Sequence, residues 1–210
     1  MAREHPLFDE NARERIRQAV VQAERETLGE IVPVVVDRSD AYPEAQDRGG
    51  AVALAIATAV VLLVFPDLPL WEMAAIQAVA FALGFVAGGW DPLSRLLVGR
   101  KAMDAMVRWR AEVAFREHGL SRTRHGTGVL VFASLFEHEV VILGDEPVHA
   151  KIGAGAFEEA VSILVRRIRE GRPADGFVEA IESVGGHLRA HFPRTADAPG
   201  NELPDDLTVR

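Results

Sequence analysis

The sequence predicts an α/β domain interrupted by a hairpin of two membrane-spanning helices. Short β-branched runs alternate with segments whose apolar residues recur at helical spacing, the signature of a mixed α/β core. Charge is spread unevenly: of 23 basic and 31 acidic residues, only Asp67 and Glu72 fall between Gly49 and Trp90. That uncharged stretch is divided in two by Pro66-Asp67-Leu68-Pro69, and each half approaches the length of about 20 residues that a spanning helix needs.

From Asp9 to Leu28 the residues Ala12, Ile16, Ala19, Val20 and Ala23 recur at helical spacing, with Asp9 placed to cap the start and Gly29 to end it. Ile31-Val32-Pro33-Val34-Val35-Val36 follows as a strand. Pro33 cannot donate to a ladder, so an edge position or a bulge is expected there.

Gly49 to Phe65 carries no charge, and Leu70 to Trp90 is interrupted only by Glu72 and Gln77. The turn between them is too short for anything but an antiparallel return. Trp71 and Trp90 fall at the two ends of the second segment, where amphipathic rings favour the headgroup level. The rest of the chain is too small to bury two such helices on all faces. Arg38, Arg48, Arg95, Arg100, Lys101, Arg108 and Arg110 flank the hairpin, and its turn has no Lys or Arg. Both termini are therefore expected in the cytoplasm. The N-terminus has no apolar run ending in a cleavage site, so no cleaved signal peptide is expected.

Beyond the hairpin, Ala102, Met106, Trp109 and Val113 mark a helix closed by Gly119. Val129 to Leu135 and Val140 to Leu143 read as a β-hairpin turning at Phe136-Glu137-His138, and the first of these strands is expected to pair with Ile31 to Val36. Two amphipathic helices follow, one carrying Phe157, Val161, Leu164, Val165 and Ile168 and the other Phe177, Ile181, Val184 and Leu188, with Pro193 ending the second. Residues 194–210 have no periodic apolar face and are expected to be disordered. The organisation expected is a discontinuous domain of residues 1–48 and 101–193, a transmembrane hairpin of residues 49–90 and the tail.

A net charge of −8 with no basic face argues against nucleic acid as a partner. The absence of cysteine removes disulfides and thiolate catalysis. There is no nucleophile elbow and no His-Glu-x-x-His run. Asp37 and Asp145 each follow a strand, and if both gather at one edge of the sheet with Asp40 or Glu146 they would suit a hard divalent cation such as calcium or magnesium. Acids at strand ends are also ordinary solvated turn residues. Glu30 and Arg124 are candidates for binding, Arg124 because it precedes Gly126-Thr127-Gly128 and can meet an anion or pair with an acid. Glu137-His138-Glu139 is expected to be a solvated turn. His187 and His191 stand one turn apart, a spacing that can grip a transition metal, but no motif supplies a third ligand.

The stretch from Thr123 to Pro193 resembles the TPM-domain family. The matching residues are Thr123-Arg124, Gly126-Thr127-Gly128-Val129-Leu130-Val131, Glu137, Val140-Val141-Ile142-Leu143, Asp145, Gly185, Leu188 and His191-Phe192-Pro193, with Gly29-Glu30-Ile31-Val32-Pro33-Val34-Val35-Val36 resembling the family's first helix-to-strand step. The resemblance implies an α/β/α sandwich with a small mixed sheet, here in a bacterial membrane-anchored subgroup with the hairpin inserted after the first strand. It also implies an accessory or regulatory protein whose soluble domain binds a membrane or cytoplasmic protein partner. A weak metal-dependent phosphatase and a calcium-binding sensor are the alternatives it brings.

Overall fold

The computed structural model describes residues 6–195 and 200–209. In chain order the elements are α1 (Glu10–Arg25), β1 (Glu30–Val36), α2 (Pro43–Val64), α3 (Leu70–Gly88), α4 (Asp91–Val98), α5 (Arg100–Glu117), β2 (Gly128–Ser134), β3 (Glu139–Gly144), α6 (Glu146–Ile152), α7 (Glu158–Arg169), α8 (Pro173–His191) and β4 (Thr208–Val209). They form two compact units, one of Met1–Ser39 with Met106–Arg210, the other Asp40–Ala105.

The first unit is built on a mixed four-stranded sheet ordered β3-β2-β1-β4. β1 pairs with β2, as the sequence predicts, although nearly a hundred residues separate the two strands; it runs parallel in the register Glu30↔Gly128 to Val36↔Ser134. β3 returns antiparallel to β2. β1 is apolar at every interior position because both faces of the sheet are covered. Ile31 and Val35 face a cluster with Ile16 and Val20 of α1, Leu164 and Ile168 of α7, and Phe177, Ile181, Val184 and Leu188 of α8. Val32, Val34 and Val36 face the other way, onto Val107, Ala111 and Ala114 of α5 and onto Leu120. Alternation along one strand thus feeds two cores.

Two expectations are corrected in this unit. The buried stripe of α5 is Val107, Ala111 and Ala114, whereas Trp109 is 55% exposed and Ala102 faces solvent. The helix carries two apolar stripes, and the one with alanines seats on the sheet because small side chains allow close approach. The tail is not disordered throughout. Thr208–Val209 pairs parallel with Val34–Val35, Leu207 is buried among core residues and Leu203 packs on the α5 side. Composition misses this because the tail's order comes from bonds to distant residues rather than from a periodic face of its own; residues 196–199 and 210 lie outside the described residues.

Pro33 is neither at a bulge nor on an outermost strand, yet its missing donor does no harm. The Glu30 amide donates across to Thr127 O on the β2 side, while the Ile31 amide donates to Glu24 Oε1 on the other. Period two puts Pro33 on the Ile31 side, where β4 begins only at Val34.

In the second unit, α2 and α3 lie antiparallel, as the paired contacts Thr58 with Gln77 and Gly49 with Gly84 require. The helices touch backbone to backbone: a Cβ on Gly49 would stand 2.4 Å from Gly84 O, and one on Gly88 2.5 Å from Ala45 O. Glycines spaced four apart on α3 let the helices approach this closely. Gln77 Nε2 donates to Thr58 Oγ1 at 3.2 Å, and Thr58 in turn donates to Leu54 O at 2.8 Å, so the polar groups of the interface are satisfied within it. Both helices are long and apolar enough to cross a membrane, with mean hydropathy of 1.8 and 1.7. α4 is held to α2 by Arg48, whose guanidinium donates to the Leu97 and Val98 carbonyls at the end of α4.

Candidate functional site

The candidate residues of the first unit fall at the two ends of its sheet, and the topology decides which of them meet at each. β1 and β2 are parallel, so Asp37 leaves β1 beside the Ser134 end of β2. β3 is antiparallel, so Asp145 leaves β3 beside the Gly128 end. The two aspartates are therefore a strand length apart, roughly 20 Å at about 3.3 Å per residue, and do not converge. Asp145 is occupied as the N-cap of α6, accepting the Glu146 amide at 2.9 Å. Among the described residues no group of three or more His, Asp or Glu is arranged to hold a metal ion.

The other pair of candidates does meet, through the tail. Glu30, only 7% exposed, opens β1 and its carboxylate accepts the amides of Glu202 and Leu203 at 3.2 to 3.4 Å. Arg124 donates its backbone amide to the Glu202 carboxylate at 3.2 Å, while the residue itself remains exposed. The role of Glu30 here is to hold this chain's own C-terminal segment.

Glu24 stands beside Glu30. It lies on the buried stripe of α1 with Ala12, Ile16 and Val20, each four residues from the last, so helical periodicity alone turns an acid inward. That spacing was legible in the sequence and is the signal by which this residue could have been found. Burial pushes the Glu24 carboxyl up to about 9, only partly offset by the Ile31 amide, and the neighbouring charges of Glu30 and Asp205 push the same way. Burial also raises Glu30, offset in part by the Glu202 and Leu203 amides. Asp205 hydrogen-bonds Glu24, a pairing of two carboxyls that a proton on Glu24 makes possible. These groups line a recess of about 280 Å³ with Arg25, Arg194 and Asn201. Arg194 donates to Glu24 O at 2.8 Å, which fastens the start of the tail to the end of α1. The arrangement is a carboxyl-lined latch: one neutral acid and one acceptor of two amides hold residues 202–205 against the first strand.

At the opposite end, Glu137 is half-buried rather than solvated. It accepts the Ser39 amide at 2.9 Å and the Ser134 hydroxyl, while Ser39 and Ser134 bond each other at 3.1 Å. His138 takes a left-handed backbone, φ 52, which closes the hairpin and turns Glu137 back toward β1. Arg38 lies over the Phe136 ring at 3.8 Å. The turn is where the sequence predicts it, but the contacts that half-bury Glu137 join segments almost a hundred residues apart, which no local pattern shows. His187 packs edge-on against Phe157 and His191 bonds the His187 carbonyl, so this pair is accounted for by packing and by its own helix.

The chain matches no known family model and no characterised protein. Among solved structures it is similar to the BA42 protein of the psychrophilic bacterium Bizionia argentinensis, determined by NMR, with a TM-score of 0.61 at 17% identity and both chains covered in full. At that identity the likeness concerns the fold alone.

Proposed function

We propose that this is a membrane-anchored accessory protein, with α2 and α3 as a spanning hairpin and the α/β unit as a TPM-like domain that binds a partner protein. The observation that carries it is the outer surface of the two helices. Leu63 is 83% exposed and Val86 74%, in company with Leu62, Val79 and Leu83. An apolar surface of this extent on a water-soluble protein would associate or precipitate, whereas lipid tails cover it without cost. The Gly49, Gly84 and Gly88 contact is of the kind that joins helices where no hydrophobic force drives them together. The TPM-like reading draws on the residues from Thr123 to Pro193 and from Gly29 to Val36, and the absence, among the described residues, of a group of three His, Asp or Glu arranged to hold a metal ion favours an accessory role over a metal-dependent phosphatase.

The protein is expected to stay with membranes through alkaline carbonate extraction; recovery in the soluble fraction at ordinary salt overturns the anchor. The basic flanks and a turn without Lys or Arg favour both termini in the cytoplasm under this reading. Alkaline phosphatase fused after His191 should then be inactive and a cytoplasm-active reporter functional. The reverse pattern would move the domain outside the cytoplasm.

A further inference from the structure

The outward sides of β1 and β3 are treated differently. On the outward side of β1, the Ile31 amide is taken by Glu24, Pro33 has no amide, and β4 pairs with Val34 and Val35. That edge is closed. On β3 the Asp145 amide donates to Gly128 O at 2.9 Å, toward β2. Alternation then turns Glu139, Val141 and Leu143 toward β2 and the backbone groups of Val140, Ile142 and Gly144 away from it. Among the described residues these three outward amides have no hydrogen-bond partner, but Val140 is 3% exposed and covered, so the accessible stretch of the edge is Ile142 to Gly144. Between Glu139 and Asp145 there is no proline, lysine or other charge of the kind that usually guards an edge strand.

We infer that the open edge of β3 is the docking site for an extended segment of a partner protein, a short apolar strand bracketed by basic residues. Two accessible outward donors, at Ile142 and Gly144, with their carbonyls match the ladder that strand addition uses. The charges at the two ends select the occupant. Glu137 and Glu139 stand at one end, Asp145 and Glu146 at the other. A second copy of this chain pairing through β3, parallel or antiparallel, would set acids against acids at both ends, and the chain as a whole is at −8. Lysines or arginines at the ends of an incoming strand meet the opposite sign. Beside Leu143 and Gly144 a recess of about 200 Å³, lined also by Phe115, Glu112 and Arg116, takes one side chain of that strand; the two charges on its wall offset each other.

This inference deepens the partner-binding reading and rests on it. The test uses the full chain in detergent and two synthetic peptides of alternating valine and threonine, one with lysine at each end and one with glutamate. The lysine-ended peptide at about ten times its Kd should slow amide exchange roughly tenfold at Ile142 and Gly144 and leave Val141 and Leu143 unchanged. The glutamate-ended peptide should not, and added salt should weaken the effect. Ile142→Pro removes one outward donor while keeping the ladder to β2, and should abolish the slowing at Gly144. No slowing by the lysine-ended peptide, or equal slowing by both, overturns the inference. Concentration-dependent protection with no peptide also overturns it, and assigns the edge to a second copy. Carbonate extraction of the same preparation separates the readings: retention in membranes with no peptide effect sinks the edge and leaves the anchor standing.

Discussion

The amide of Ile31 donates to Glu24 Oε1 at 2.8 Å, so a buried acid at the end of α1 closes the first outward donor of the strand that follows it. The folded value of Glu24, about 9, lies above its ordinary 4.5. The folded protein therefore holds a proton that the unfolded chain releases, and stability falls as pH rises between about 4.5 and 9, by at most about 1.4 kcal/mol per pH unit. Glu24→Gln keeps an oxygen for Ile31 and a donor for Asp205 but does not titrate. The variant should melt higher than the wild type at pH 8.5 and match it near pH 4.5. Parallel melting curves for the two proteins across that range would refute the assignment.

Leu207 anchors the tail beneath the sheet edge, and Glu30 holds the two amides before it. Leu207→Ala should cost about 2 kcal/mol, at the low end for a buried leucine because the tail can yield. Glu30→Ala should speed exchange at the Glu202 and Leu203 amides before any global unfolding. Unchanged exchange at those two positions would mean that the tail is held without the latch.

Glycine positions give a matched pair. Gly84→Leu drives a side chain into Gly49 O and Ala53 and should separate α2 from α3, seen as new protease cleavage in detergent. Gly186 has open space where a Cβ would stand and lies inside α8, so Gly186→Ala should stabilise the protein by about 0.5 to 1 kcal/mol. Destabilisation by the second change would show that the space is not open.

Glu137 satisfies two groups at once. Glu137→Ala leaves the Ser39 amide and the fully buried Ser134 hydroxyl without their acceptor, and a loss of about 1 to 3 kcal/mol is expected. Glu137→Gln should restore much of it through its amide oxygen. A melting temperature unmoved by the alanine change would return Glu137 to the solvated turn.

The sequence by itself determined the elements that depend on neighbours within a few turns: α1, both strands of the β2–β3 hairpin, α7, α8 and the two apolar helices. Periodicity and charge density are local quantities; the pairing of β1 with β2 was expected because an antiparallel helical hairpin brings its own ends together. What tertiary structure alone decided are the matters of direction and partner. The parallel pairing of β1 with β2 left Asp37 at the end of the sheet away from Asp145, because the direction in which two strands far apart in sequence pair depends on the path of the chain between them and not on the residues at strand ends. Which stripe of α5 is buried was settled by the closeness that Ala111 and Ala114 permit. The tail, polar and aperiodic, found its place only because Glu30 and the β1 edge offer it hydrogen bonds across more than 170 residues, a distance no local pattern encodes.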